Sequence, residues 1–126
     1  MNLKRMLAAA ALLMVVAVNA HARNPGESAQ RCVDASERNG RVTLTNTCNK
    51  QIFVLYCGDL KYSKKGCGEG PKGGFYTHSN NVQPGASTDF VVQGQYRYAA
   101  CVGGISFGNS GEYEDFPNGS FRCLPR

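Results

Sequence analysis

Six cysteines, Cys32, Cys48, Cys57, Cys67, Cys101 and Cys123, are spread through the part of this chain that follows an apolar leader, and none lies within the leader. In a short exported segment an even set implies three disulfides, although six cysteines allow fifteen pairings. Zinc would want a CxxC pair or several histidines. There is no CxxC, and His78 is the one histidine beyond the leader, so neither a metal nor another cofactor is expected.

The leader accounts for the oxidising compartment. Lys4 and Arg5 precede an uncharged run over residues 7–18, which ends in Ala20-His21-Ala22. This is the layout of a secretory signal peptide over residues 1–22, with cleavage after Ala22. The run is shorter than the roughly 20 residues that span a bilayer, and no second one follows, so no transmembrane segment is expected. The mature chain is expected to be soluble, a monomer, and periplasmic or extracellular.

Removing 22 of 126 residues leaves one domain's worth of chain with a modest core, which makes covalent support useful. Of 14 Lys and Arg, Lys4 and Arg5 belong to the leader. Twelve therefore stand against 9 Asp and Glu, a mild +3 that is no argument for nucleic acid.

Residues 23–40 are polar and read as an N-terminal arm or edge segment. The β domain proper is placed at 41–126. From Arg41 onward Val42 and Leu44 alternate with Thr43 and Thr45, the pattern of a half-buried strand. Residues 51–57 are apolar on both faces and read as the central core strand, joined to the preceding strand as an antiparallel hairpin through 47–50.

A glycine-rich loop with four lysines follows over 58–74, then a short strand at 75–78 and a type II turn at Pro84-Gly85. Strands are expected over 88–92 and 95–101 with a tight hairpin at Gln93-Gly94, and again at 105–107. The loop 108–115 leads to a type I′ turn at Asn118-Gly119 and a last strand over 120–124. No helical periodicity of useful length is present. The fold class is all-β: a small disulfide-bonded antiparallel sandwich or barrel of six to seven short strands.

Proximity favours Cys57–Cys67, a clip across the base of the Gly/Lys loop, and Cys101–Cys123 follows if the last strands share a sheet. Cys32 and Cys48 remain. A two-residue turn at Asn39-Gly40 would place Cys32 opposite Thr47, one step from Cys48, so this bridge needs a bulge or longer turn. Cys48–Cys101 stays open as an alternative.

Few residues offer chemistry. His78 is a candidate general base for a small hydrolase, but no thiol or nucleophile elbow accompanies it. Nothing places two of Asp59, Asp89, Glu112, Glu114 and Asp115 across a cleft, and residues 109–115 read as a solvated acidic loop rather than a calcium site. The expectation is a non-enzymatic binding module. Its contact surface is the 58–76 loop, where Lys61, Tyr62, Lys64, Lys65, Lys72, Phe75 and Tyr76 combine charge with aromatic faces suited to an anionic or carbohydrate surface.

The partner is an unknown protein or glycan. Alternative readings are a protease inhibitor offering Lys61 or Lys64 in a clipped loop, and a structural protein of the envelope. The sequon Asn118-Gly119-Ser120 is read as turn chemistry.

The run VTLTNTCNKQIFVLYC, with KKGCG, QPG, YRYAAC and NGSFRC after it, resembles small cysteine-rich β proteins exported by Gram-negative bacteria. The resemblance covers residues 41–124 and rests on the spacing N-x-C, YC, CG, PG, AAC and aromatic-x-C. It implies compartment and fold, transfers no functional residue, and leaves Cys32 outside its reach.

Overall fold

Asn39 and Gly40 both take positive φ, 53° and 81°, the requirement of a type I′ turn, and they join the first two strands of the sheet. The structure, a computed structural model, describes residues 26–105 and 113–125. The expected signal peptide lies outside the described residues, as do 106–112 of the expected strand and loop. Within them no helix is long and apolar enough to cross a membrane.

Seven strands are described: β1 (Val33–Arg38), β2 (Arg41–Asn46), β3 (Ile52–Leu60), β4 (His78–Val82), β5 (Ser87–Val102), β6 (Tyr113–Asp115) and β7 (Phe121–Cys123). They form an antiparallel five-stranded sheet of order β1-β2-β5-β3-β4 and a separate β6-β7 hairpin. The chain is all-β. The large sheet keeps two edges, β1 and β4, so it does not close into a barrel.

β5 organises the sheet because it changes partner along its length. Its first part pairs with β2, Ser87 opposite Thr45 and Val91 opposite Arg41; its second pairs with β3, Arg97 opposite Cys57 and Val102 opposite Ile52. Tyr56 belongs to the second half and Phe90 to the first, yet their rings stack at 4.1 Å. The two halves therefore fold face to face over one core, built from Val42, Leu44, Ile52, Val54, Tyr56, Phe90 and Val92. On the opposite face of β3 a second core gathers Phe53, Leu55, Cys57, Ala99 and Cys101 under Tyr76, Tyr113 and Phe121. Burial on both faces explains why β3 is apolar at successive positions.

Several sequence expectations are corrected here. β2 and β3 are not a hairpin: β1 and β5 occupy both edges of β2, and β5 and β4 those of β3. Gln93-Gly94 is not a turn but part of the continuous β5. A side chain at 94 would press on the Asp59 carboxylate, which accepts the Gln95 N–H at 3.2 Å. The strand expected at 75–78 starts only at His78, and Tyr113–Asp115 is strand rather than loop. At the last hairpin only Gly119 has positive φ, 90°. Phe116 N–H reaches Ser120 O and Gly119 N–H reaches Phe116 O, which makes a three-residue loop rather than a type I′ turn. Ile105 is not in a strand; its N–H and C=O are bracketed by the Asn81 carboxamide at 2.8 and 3.0 Å, which covers part of the β4 edge.

The three disulfides are Cys32–Cys48, Cys57–Cys67 and Cys101–Cys123. Register alone puts Thr47 opposite Cys32, and Thr47 N–H does bond Cys32 O at 2.8 Å. The pairing survives because the strands end first: Val33 and Asn46 are the last partners, and Gln30–Cys32 is a 3₁₀ turn. The described part of the N-terminal segment is an edge of the sheet, not a loose arm. Ala29 N–H bonds Ala100 O, and Gln30 caps the backbone of Tyr98 and Ala100.

Candidate functional site

The region expected to carry function begins where β3 is bent. Gly58 pairs with Tyr96 and Leu60 with Val92, so Asp59 alone faces residues 93–95. This bulge needs φ of 153° at Gly58, where a side chain would strike the β5 backbone. β3 thus runs three residues further than its apolar pattern suggests before it releases the chain into residues 61–77.

That segment is a folded lobe rather than a slack loop. Cys57–Cys67 clips its start, with Cα atoms 5.1 Å apart. Gly68 N–H bonds Phe75 O, Gly70 N–H bonds Gly74 O, and Gly74 N–H bonds Pro71 O. Lys72 and Gly73 turn the tip with φ of 56° and 77°. The return segment of the lobe is held by Asp115 on β6, whose carboxylate accepts the Phe75 and Tyr76 N–H groups at 2.9 and 3.1 Å. Asp115 is therefore an anchor and not part of a solvated acidic loop.

The seven candidate residues separate into two groups. Lys61, Tyr62, Lys64, Lys65 and Lys72 are exposed, Tyr62 at 81%. Tyr76 is 5% exposed and packs edge-on against Phe75 and Phe121, so it belongs to the core beneath the lobe and not to a contact surface. Burial pushes its phenol up; nearby Arg97 opposes this and Asp115 adds to it. Phe75 is half-buried under the Arg97 guanidinium, 4.8 Å from the ring centre. Sequence reasoning missed Arg97 and Asp115. Arg97 could be found only by knowing that β5 pairs with β3, which sets it opposite Cys57.

The electrostatics of the lobe are one-sided. Residues 61–72 carry four lysines against Glu69, a net +3, while the chain beyond residue 22 has 12 basic and 9 acidic residues. The lobe therefore holds the entire surplus, and the rest of that chain is balanced. Glu69 accepts the Gly66 N–H at 3.0 Å, a bond local to the lobe. Among the described residues none of the four lysines forms a salt bridge; those found are Arg41–Asp89, Lys50–Glu27 and Arg122–Glu114. Lys61 Nζ sits 5.5 Å from the Tyr62 ring centre. The Lys61 backbone N–H bonds Val91 O at 2.9 Å, so this lysine continues the sheet rather than standing on a free loop.

His78 opens β4. Its ring stacks on Tyr56 at 5.2 Å, and Nδ1 shares a 2.7 Å hydrogen bond with Thr77 Oγ1. Among the described residues no three His, Cys, Asp or Glu side chains gather as a metal site would require. In comparisons with known proteins, no family model matches the chain, and no curated protein or solved structure is significantly similar to it.

Proposed function

We propose that this chain is an exported, non-enzymatic binding module that engages an anionic surface through the lobe at residues 61–72. One observation carries the reading: the whole positive surplus of the mature chain stands on one exposed, covalently clipped lobe, on side chains that the fold does not use. Lysines that served only solubility would have no reason to be confined there. The clip and the internal backbone bonds order the lobe before any partner arrives, which lowers the entropic cost of binding.

The test is retention on immobilised dextran sulfate. The Lys61→Gln/Lys64→Gln/Lys65→Gln variant should elute at clearly lower salt than the native chain. A control with Arg31, Arg38 and Lys50 changed to Gln loses the same charge from exposed positions elsewhere and should elute close to native. Equal loss in both variants would mean that net charge, not the lobe, governs binding, and the proposal would fall.

A further inference from the structure

We infer that the surface met by the lobe is an anionic phospholipid bilayer, an inference that rests on the binding role just proposed and narrows it. The first ground is shape. The lobe follows the end of β3 and leaves Lys61, Tyr62, Lys64, Lys65 and Lys72 exposed, whereas a small anion or a single sugar is held in a concave site.

The second ground is the kind of cation. All four are lysines; Arg31, Arg38, Arg41 and Arg122 lie elsewhere, and Arg97 is engaged over the Phe75 ring at the lobe's return. Fixed carboxylate, sulfate or phosphate groups are read best by the bidentate guanidinium fork. Ammonium groups on flexible stems answer instead to a diffuse surface potential, and their stems follow the interface.

The third ground is Tyr62. It is the most exposed large aromatic among the described residues, at 81%, and it sits between lysines. One face of its ring is already occupied by the Lys61 ammonium, which leaves less of it for stacking on a sugar. A polyanionic chain in water has no use for the rest of the ring, but a lipid headgroup region takes up tyrosine, whose body is apolar and whose tip is wet.

The attraction is weak, reversible and sensitive to salt. Each lysine near an anionic bilayer contributes about fivefold in affinity. Removal of three should weaken binding by roughly a hundredfold, and 1 M salt, with a screening length of about 3 Å, should abolish it.

The chain has no tryptophan, so Tyr62→Trp installs a single reporter. It is made in the protein as recovered from exporting cells, with its N-terminus determined by mass spectrometry. Vesicles of phosphatidylglycerol and phosphatidylcholine, vesicles of phosphatidylcholine alone, and soluble polygalacturonate serve as probes. The inference requires that the tryptophan emission shift to the blue and be quenched by brominated lipid on the anionic vesicles alone. It also requires that combining Tyr62→Trp with Lys61→Gln/Lys64→Gln/Lys65→Gln remove the signal at the same lipid concentration. Lysine-dependent binding to polygalacturonate without vesicle binding overturns the bilayer as partner and leaves the binding role standing. Vesicle binding that ignores the lysines overturns the inference, and lysine-dependent binding to neither probe overturns both.

Discussion

Asn46 is the one fully buried polar side chain among the described residues, at 0% exposure, and its replacement by alanine offers the sharpest test of how this fold is held. Its Nδ2 donates to Lys50 O at 2.8 Å and Val82 O at 3.0 Å, and its Oδ1 accepts the Cys48 N–H at 3.0 Å. One carboxamide thus ties the end of β2 to the segment leading into β3 and to the end of β4. Asn46→Ala removes three bonds worth about 1 kcal/mol each and strands buried backbone groups that water cannot easily reach, so the expected loss is about 3 to 5 kcal/mol. Against a total of about 5 to 15 kcal/mol this is a large fraction, and at about 4–8 °C per kcal/mol it lowers the melting temperature by about 12 °C or more. Asn46→Asp keeps the acceptor for Cys48 but turns a carboxylate oxygen toward two carbonyls, and should cost at least as much at pH 7. Guanidinium and thermal unfolding with the disulfides intact measure both variants. A loss below 1 kcal/mol in Asn46→Ala would refute the reasoning. It would mean that the backbone pairs Asn46 N–H to Ala86 O and Gly85 N–H to Asn46 O hold this corner unaided.

Two further outcomes follow from the same structure. Cys57→Ser/Cys67→Ser opens a ten-residue clip and should cost about 2 to 3 kcal/mol, with trypsin then cutting first within residues 61–72; peptide mapping that finds first cleavage elsewhere contradicts the lobe's dependence on the clip. Burial pushes the phenols of Tyr56, Tyr76 and Tyr113 up, so the folded chain holds these protons to higher pH than the unfolded chain. Stability should be intact below about pH 10, tyrosine's ordinary value, and fall as pH rises beyond it. Tyrosinate absorbance and circular dichroism recorded together should show part of the ionisation coinciding with unfolding, and Tyr56→Phe should move that alkaline midpoint upward.

What could be read in advance was whatever a few consecutive residues decide. The alternation of Val42 and Leu44, the two-sided apolar run of β3, the Asn39-Gly40 reversal and the Pro84-Gly85 turn are local, and each is present. What escaped was long-range. Gln93-Gly94 mimics a hairpin signal because glycine serves both turns and close approaches; here the approaching group is Asp59, more than thirty positions away. The assumption that neighbouring strands pair placed β2 beside β3, whereas β5 stands between them.

In the lobe, lysine exposure was legible, but burial of Tyr76 was not, because it depends on Phe121 and Asp115 arriving from the end of the chain. The N-x-C and PG spacings of this chain are likewise structural. Asn46 orients Cys48, and Gly85 N–H bonds Asn46 O at 2.9 Å.

The disulfide pattern has a consequence for how the molecule is made. Each bridge joins a cysteine to the next one along the chain, across 16, 10 and 22 positions. Of the fifteen possible pairings, this is the one produced when thiols are joined strictly in the order in which they emerge, N-terminus first. A chain threaded into an oxidising space can therefore acquire its native links one after another, without the slow thiol exchange that non-consecutive pairings demand.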